Sequence, residues 1–296
     1  MVASLMPGDP VATAIYKTLG DKAVEFEKKV GRKITLATIL VGDDVPSLNY
    51  VNLKHDKAIE LKMSYVHHHL AKTASQDELN ELIKNINRDD RIDGVLIQYP
   101  IPTHLSYEAA IELLSPDKDV DGLHPLNLGR LAQGVGCMVA CTPLAIQAML
   151  SFYKVQISGR HVVIVGRGMT IGRPLSILLS QKGANANACV TLVHSGVPNL
   201  YNYTKLADIL IAAAGSPYLI KPEHVKPGSV VIGAGVRYEG KKLLPDVDET
   251  VQEVASMITP RVGGVGPVTV AMLFANLTQA AYKQQGFNWQ IKDLFS

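Results

Sequence analysis

Tyr50 and Lys54 are the residues whose types and spacing first suggest chemistry. They lie four positions apart in a stretch of helical character, Ser47 to Lys54, and therefore share one helix face. A buried lysine can act as an acid or a base, and a tyrosine ring can stack on a flat ligand. The alternative is a solvated lysine stem beside a half-buried tyrosine. The apolar run at 34–41 predicts a buried strand just before the pair.

A glycine-rich turn is the second feature with chemical meaning. Gly166, Gly168 and Gly172 follow a predicted strand at 161–165 and precede a predicted helix at 174–181. Glycines allow the backbone to approach a pyrophosphate, and the helix N-terminus offers N–H groups to it. The spacing is one residue longer than the usual dinucleotide pattern, so a glycine turn without a ligand stays open as an alternative.

The residues around this turn favour NADP over NAD. The next predicted strand ends in Val193, His194 and Ser195, without the carboxylate that normally holds the ribose of NAD. Arg167 and Arg173 lie in the turn instead. Cations and a hydroxyl suit a 2′-phosphate.

Three carboxylates crowd the segment 117–121. Asp117, Asp119 and Asp121 alternate there, but no glutamate follows at the spacing of a calcium loop. Asp117 and Asp119 read as solvated loop residues. Asp121 is the better candidate for function, because one carboxylate can accept paired hydrogen bonds from the N–C(NH2)–N edge of a pterin or a guanine.

Two further segments are candidates for ligand contact. Residues 263–267, Gly-Gly-Val-Gly-Pro, predict a stiffened loop that ends where a helix starts. Gln98 follows a short buried strand, and ligand sites of open α/β sheets lie at the carboxyl ends of strands. An ordinary strand-end residue is the alternative for Gln98, since every strand has one.

No metal site is predicted. In the run His67, His68 and His69 only the first and last share a strand face, which is typical of a half-exposed strand. Cys137 and Cys141 have no second pair of ligands near them.

Composition restricts the class of protein. The 296 residues are 47% hydrophobic and 19% charged with a net charge of +2, and no basic run predicts nucleic-acid binding. Three cysteines without framework spacing indicate a reducing compartment. The N-terminus lacks signal-peptide features, and the uncharged stretches 131–153 and 262–282 are interrupted by Gly, Pro and Gln. We therefore expect a cytoplasmic protein that does not span a membrane.

Strand-like runs alternate with helical segments, which predicts an α/β protein with parallel sheets. We expect two α/β domains with a cleft between them. The first would comprise residues 1–145 with a C-terminal helix from 268 to 296, and the second, Rossmann-like domain would comprise 146–267. A helix that starts after the N-cap Thr142, with Pro143 in its first turn, would join them.

Six motifs, taken together and in order, resemble the bifunctional methylenetetrahydrofolate dehydrogenase/cyclohydrolase family of the bacterial FolD type. The resemblance runs from about residue 34 to 277. The motifs are Val41-Gly-Asp-Asp…Ser47-x-x-Tyr50-Val-x-x-Lys54, Gly94-Val-Leu-Ile-Gln98-Tyr-Pro100, Asp117-Lys-Asp-Val-Asp-Gly122, Cys141-Thr-Pro143, Val165-Gly-Arg-Gly-x-x-Ile-Gly-Arg-Pro174 and Gly263-Gly-Val-Gly-Pro-x-Thr269.

The resemblance implies two reactions, oxidation of 5,10-methylenetetrahydrofolate by NADP+ and hydrolysis of the resulting methenyl cation to 10-formyltetrahydrofolate. Lys54 would be the acid/base, oriented by Gln98, while Tyr50 would stack on the p-aminobenzoyl group and Asp121 would anchor the pterin. It also implies a homodimer. The implied frame for pterin and nicotinamide comprises Gly263, Gly264 and Pro267, and the implied cofactor residues are Gly166, Arg167, Gly168, Gly172, Ser195 and Thr142.

The chain departs from the family pattern at three places. Gly168 replaces a usual serine, Gly233 replaces a usual aspartate, and Val262 replaces a usual proline. These changes leave two alternatives to the bifunctional enzyme: a dehydrogenase with weak or lost cyclohydrolase activity, and a non-catalytic protein that binds nucleotide or folate.

Overall fold

The computed structural model describes residues 2–240 and 242–295, which form two compact units. One unit, the three-stranded unit, comprises Ala14–Val139 and Leu273–Leu294. The other, the six-stranded unit, comprises Ala140–Met272 together with the N-terminal residues up to Thr13. The chain is thus an α/β protein with two parallel sheets.

The three-stranded unit is built on a parallel sheet of order β3-β2-β4. Every residue of the central strand β2 is buried, as expected of a parallel strand covered on both faces. One face packs Ile39 and Ile97 against Ile83 and Ile111 of two helices. The elements are α1 (Gly8–Val30), β2 (Thr35–Val41), α2 (Val45–Glu60), β3 (Ser64–Leu70), α3 (Gln76–Arg88), β4 (Gly94–Ile97), α4 (Tyr107–Leu113) and α5 (Pro125–Gln133).

Local hydrogen bonds fix where the helices of this unit begin. Ser75 and Glu78 form a capping box at the start of α3, because Ser75 Oγ accepts from Glu78 N and the Glu78 carboxylate accepts from Ser75 N. At α2 the Asp44 carboxylate accepts from both the backbone N–H and the hydroxyl of Ser47, at 3.0 and 2.6 Å. These bonds set the direction in which α2 leaves the sheet.

Gly94 in β4 is required by packing, which gives a stability prediction. A Cβ at this position would lie 2.2 Å from Val120 Cγ1 and 2.8 Å from Leu277 Cδ1. We expect Gly94→Ala to lower the free energy of unfolding by about 1–3 kcal/mol through overpacking. The measurement is urea unfolding followed by circular dichroism.

Gly20→Ala is the matched control, since a Cβ at Gly20 in α1 meets no described atom within 4 Å. The free energy of unfolding of this control should rise by about 0.5–1 kcal/mol, because glycine is unfavourable inside helices. Equal stability of the two variants would contradict the packing assigned to Gly94.

The six-stranded unit carries a parallel sheet of order β1-β11-β8-β7-β5-β6. Its first strand, β1, comes from the N-terminus and pairs with β11, so residues 2–13 belong to this unit; the sequence analysis missed this strand. The strands are β1 (Ser4–Leu5), β5 (His161–Val165), β6 (Cys189–Val193), β7 (Ile209–Ala212), β8 (Val230–Gly233) and β11 (Met257–Ile258), with an antiparallel hairpin, β9 (Val236–Glu239) and β10 (Lys242–Pro245).

The helices of this unit correct two expectations. Thr142 is not the N-cap of the helix α6 (Cys141–Phe152): Ala140 holds that position without a side-chain cap, and Thr142 lies in the first turn. Gly266 and Pro267 are not loop residues either, because the last helix α9 (Val265–Gln284) already begins at Val265. The remaining helices are α7 (Gly172–Ser180) and α8 (Tyr201–Thr204), with 3-10 segments at Pro222–His224, Glu249–Glu253 and Ile291–Phe295.

Candidate active site

Lys54 and Gln98 meet at the carboxyl end of β4. Lys54 Nζ donates to Gln98 Oε1 at 2.7 Å. Lys54 is half-buried, and Gln98 is only 8% exposed. Two of the four predicted catalytic residues are thus brought into direct contact by α2 and β4.

Both ends of the Gln98 side chain and its backbone are fixed. Its N–H donates to Ile39 O of β2 at 2.8 Å, and its Nε2 donates to Tyr99 O at 2.8 Å. Because a lysine nitrogen and a carbonyl oxygen face the two ends of the amide, only one amide orientation satisfies both. The oxygen offered to Lys54 is therefore held in place before any ligand arrives.

A neutral amide is a fitting partner for a lysine that moves a proton. Gln98 Oε1 accepts a hydrogen bond from an ammonium and from a neutral amine alike, whereas a carboxylate would stabilise the ammonium. The pair can therefore keep the same geometry while Lys54 gains or loses a proton.

Asp121 lies in a loop that is anchored on every side. Asp119 is fully buried and accepts from Gly122 N, His124 N and Asn127 Nδ2 at 3.0, 2.8 and 3.0 Å. Val95 of β4 donates to the carbonyl of Lys118 at 2.7 Å. These bonds hold the segment that contains the half-buried Asp121 alongside β4, where Asp119 pairs with Val95.

The expectation of a solvated Asp119 is therefore wrong. Its carboxylate organises the turn by accepting three N–H donors, which compensates for its burial. Asp117 does face solvent, where it pairs with Lys283 at 2.7 Å and Arg130 at 3.6 Å. The three alternating aspartates thus lie in three different environments.

Three tyrosines belong to the elements that carry these residues or lie near them. Tyr50 is 47% exposed on α2. Burial and the nearby Asp121 carboxylate raise the pKa of the Tyr107 hydroxyl far above its usual range. Tyr99, whose carbonyl holds Gln98, packs its ring edge-on against Tyr107 at 5.2 Å. Sequence reasoning missed Tyr107, since a lone tyrosine at a helix start gives no signal.

In the six-stranded unit the glycine turn approaches other backbone closely. A Cβ at Gly166, whose φ is +117°, would lie 2.1 Å from Ala213 O, and a Cβ at Gly172 would lie 1.8 Å from Gly166 O. Only glycine fits at these two positions. At Gly168 a Cβ meets no described atom within 4 Å, so the serine usual in the family would also fit there.

Arg167 reaches the end of the neighbouring strand β6. Its Nη1 lies 3.2 Å from His194 Nε2, and the exposed Ser195 follows His194 directly. Thr142 lies elsewhere in this unit, with its Oγ1 3.4 Å from Thr269 Oγ1. The structure brings Arg167 to the residues that follow β6, as a 2′-phosphate site would require.

The glycines before α9 contact the start of the chain. Gly8 N donates to Gly263 O at 2.7 Å, and a Cβ at Gly8 would lie 2.0 Å from Gly264 O. Gly263 has a φ of +73°. The segment is fixed by backbone contacts, with Pro267 in the first turn of the helix that follows.

Asp246 is a buried carboxylate that the sequence analysis missed. Its Oδ2 accepts from Ala214 N at 2.6 Å and from Gly215 N at 3.0 Å, in the loop after β7. Burial raises its pKa. A Cβ at Gly235 would lie 1.9 Å from the same Oδ2, so this glycine makes room for the carboxylate.

The histidines of β3 are held by protein groups. The rings of His67 and His69 lie on one face with centroids 5.8 Å apart, as predicted. His67 Nδ1 lies 3.0 Å from Thr38 Oγ1, and His69 Nε2 lies 2.9 Å from Gly42 O. Within residues 2–240 and 242–295 no group of three His, Cys, Asp or Glu side chains is placed to hold a metal ion.

None of the helices in the described part of the chain is long and apolar enough to cross a membrane. α9 is the longest apolar candidate, and it is a helix of 20 residues that includes Gly, Pro, Asn and Gln. The uncharged stretches singled out in the sequence are thus parts of the two units.

Comparison with known proteins decides the family. The catalytic-domain model of tetrahydrofolate dehydrogenase/cyclohydrolase matches residues 6–121, and the NAD(P)-binding-domain model of the same family matches residues 140–285. The chain belongs to this family. The relative "Bifunctional protein FolD 1" of Salinispora tropica is 48% identical over 280 residues, which cover 95% of this chain and 91% of that protein.

Solved structures of the family share the fold. The bifunctional FolD enzyme of Campylobacter jejuni is 37% identical with a TM-score of 0.90, over 95% of this chain and 99% of that one. The Trypanosoma brucei enzyme, solved with NADP and an inhibitor, is 33% identical with a TM-score of 0.88, over 97% and 99%. The family resemblance and the α/β fold class inferred from the motifs are confirmed.

The residues of the six-stranded unit fit a dinucleotide. Gly166 and Gly172 leave a turn that a Cβ would fill, at the carboxyl end of β5 and the start of α7. A cationic side chain, Arg167, lies beside the end of β6, and neither of the two residues directly after that strand, His194 and Ser195, is a carboxylate. This chemistry suits a phosphorylated ribose better than a free one.

Proposed function

We propose that the protein oxidises 5,10-methylenetetrahydrofolate to the 5,10-methenyl cation with NADP+ and then hydrolyses that cation to 10-formyltetrahydrofolate. Family membership supports both reactions. The single observation that carries the proposal is the hydrogen bond between Lys54 Nζ and the buried Gln98 Oε1. It provides a proton-transfer group with an uncharged, preorganised partner at the end of a parallel strand.

In the first reaction the protein has to bind and align. NADP+ supplies the hydride acceptor when bound. The carbon that is oxidised lies between two nitrogens, whose lone pairs stabilise the resulting cation, so alignment is the main requirement. Asp121 would accept hydrogen bonds from the pterin, and Tyr50 would stack on the p-aminobenzoyl ring. We also assign Gly263, Gly264 and Pro267 to the frame around pterin and nicotinamide.

The second reaction needs proton transfer. A neutral Lys54 takes a proton from the water whose oxygen bonds to the methenyl carbon. The ammonium then protonates the nitrogen whose bond to that carbon breaks, while the remaining hydroxyl proton passes to solvent and leaves the formyl group. Gln98 orients the amine and can polarise the reacting centre. No step in this sequence requires a charged partner for Lys54.

The cofactor residues in this proposal are Gly166, Arg167, Gly168, Gly172, Ser195 and Thr142. Gly166 and Gly172 permit close approach of the pyrophosphate, and Arg167 with Ser195 binds the 2′-phosphate. Thr142 would contribute its hydroxyl, which lies 3.4 Å from that of Thr269. We further propose a homodimer that acts in the cytoplasm, in one-carbon metabolism and purine biosynthesis; size-exclusion chromatography with light scattering tests the dimer.

Two absorbance assays test the function. Mixing the protein with methylenetetrahydrofolate and NADP+ should give reduced nicotinamide, and added methenyltetrahydrofolate should decay faster than it does spontaneously. Reduced nicotinamide without accelerated decay would instead show a dehydrogenase that lacks cyclohydrolase activity. The absence of both signals would leave a binding protein and contradict the proposal.

Gln98 gives a prediction within this account. We expect Gln98→Met, which keeps the length of the side chain but removes the amide oxygen and the amide N–H groups, to lower the rate of methenyl hydrolysis about 10- to 100-fold, since Lys54 loses its positioning partner. The kcat of hydrolysis is the measurement. Gln156→Met, at an exposed position in the other unit, serves as the control. An unchanged kcat in the Gln98 variant would remove Gln98 from the mechanism.

A further inference from the structure

Asp246 is a buried carboxylate to which the proposed mechanism gives no role. It is fully buried in the six-stranded unit, between the hairpin strand β10 and the 3-10 segment at Glu249. Its Oδ2 accepts from Ala214 N at 2.6 Å and from Gly215 N at 3.0 Å. Burial raises the pKa of this carboxyl, and the backbone N–H groups of Ala214, Gly215 and Ser216 act in the opposite direction by stabilising its charge.

The charge of Asp246 has no cationic partner in the part of the chain that the structure describes. Its Oδ1 is buried and accepts no hydrogen bond there. Arg261, which follows β11, pairs with Glu249 at 3.0 Å instead. Because an unpaired buried charge costs free energy, a positive charge that approaches this carboxylate is favoured.

The loop after β7 connects Asp246 to the glycine turn. Ala213 N donates to Val165 O, the last residue of β5, at 2.8 Å. A Cβ at Gly166 would lie 2.1 Å from Ala213 O, so the first glycine of the turn contacts this loop directly. The next residue, Ala214, donates to Asp246. Asp246 therefore holds the loop against which the glycine turn packs.

The strand order indicates which half of a dinucleotide this loop would support. β6 and β7 flank β5, so the order of the strands reverses between β5 and β7, and a dinucleotide would cross the sheet edge there. The proposed function assigns Arg167 and Ser195, on the β6 side, to the phosphorylated adenosine. The nicotinamide half would then lie on the β7 side, where Asp246 holds the loop.

NADP+ carries a positive charge on its nicotinamide ring that NADPH lacks. We propose that the negative charge of Asp246, fixed behind the loop 213–216, favours binding of the oxidised cofactor over the reduced one. Asp246 is a positioning residue in this proposal, because it contacts the loop and not the cofactor. The proposal rests on the proposed function, since it assumes that a nicotinamide dinucleotide binds at the carboxyl ends of β5 and β7.

Binding of the two redox forms tests the proposal without turnover. Asp246→Asn removes the charge but keeps an oxygen that can accept from Ala214 and Gly215, and its amide nitrogen takes the place of the unpartnered Oδ1. We expect this variant to bind NADP+ about threefold or more weakly and NADPH with nearly unchanged affinity, as measured by isothermal titration calorimetry. Asp208→Asn is the matched control, because it removes a carboxylate that pairs with Lys226 just before β7, at the other end of that strand. The ratio of the two Kd values should stay at the wild-type value in this control.

Adenosine 2′,5′-bisphosphate separates the effect of charge from loss of structure, because it lacks the nicotinamide half. Its affinity should be the same for Asp246→Asn and the wild-type protein. Equal weakening of NADP+ and NADPH, no change in either, or loss of the bisphosphate would overturn the proposal and leave Asp246 a purely structural residue. A wild-type protein that binds neither NADP+ nor NADPH would instead contradict the proposed function.

Discussion

Replacement of Lys54 by methionine is expected to lower the rate of methenyltetrahydrofolate hydrolysis by about 10²- to 10⁴-fold, the range of general acid–base catalysis. Methionine keeps the length and much of the packing of the side chain but cannot transfer a proton. Folate binding should change much less, because pterin and p-aminobenzoyl contacts are assigned to Asp121 and Tyr50. The measurement is kcat for hydrolysis, together with the Kd of a folate ligand.

Two further variants sharpen this test. Lys54→Arg keeps the positive charge but stays protonated, so it should be nearly as slow as Lys54→Met if proton transfer is the role. Lys57→Met, one turn further along α2 at a residue that pairs with Glu60, should hydrolyse at the wild-type rate. An equal loss of folate binding and of both activities in Lys54→Met would make Lys54 a structural residue.

Replacement of Arg167 by alanine should raise the KM for NADP+ by about 10- to 100-fold, since hydrogen bonds to charged groups contribute about 1.5–3 kcal/mol. The KM for NAD+ should change little, because NAD+ lacks the 2′-phosphate. Steady-state dehydrogenase assays with both nucleotides measure the effect.

Arg160→Ala provides the matched control for Arg167. Arg160 precedes β5 and Arg167 follows it, so the two exposed arginines lie at opposite ends of one strand. Arg160 donates to Gln156 rather than to a residue of the turn. Equal weakening of NADP+ and NAD+ by Arg167→Ala would refute its assignment to the 2′-phosphate.

Much of the three-stranded unit could be predicted because its signals are local. The capping box at Ser75 and Glu78 fixes the start of α3, and the apolar run 34–41 contains β2. The rule that sites lie at the carboxyl ends of parallel strands made Gln98 a candidate, and the family resemblance implied its pairing with Lys54. The length of their hydrogen bond and the orientation of the buried Gln98 amide could be determined only from the structure.

The missed elements are those whose partners are distant in sequence or whose residues are exposed. β1 has two exposed residues and is a strand only because β11 pairs with it. The four residues of β9 are all exposed, so the alternation of Val and Tyr with Arg and Glu corresponds to no buried face. For α5 signals did exist, namely Pro125 at its start and Gly134 in the left-handed conformation at its end.

Site residues with tertiary partners were also beyond sequence reasoning. Asp119 reads as a loop carboxylate, yet its three N–H donors bury it completely. Thr142 has the residue type of an N-cap, but the helix starts at Cys141, two residues earlier than that interpretation requires. The carboxylate of Asp246 accepts a hydrogen bond from a loop about 30 residues earlier in the chain, and no local sequence pattern reveals that contact.

The central claim is that one protein oxidises methylenetetrahydrofolate and then hydrolyses the methenyl product. A time course of both absorbances in a single mixture of protein, methylenetetrahydrofolate and NADP+ tests it most directly. We expect reduced nicotinamide to rise while the methenyl signal stays low, because hydrolysis follows oxidation; in Lys54→Met the methenyl signal should accumulate for as long as oxidation continues. A methenyl signal that accumulates in the wild-type protein as fast as reduced nicotinamide forms would contradict the claim.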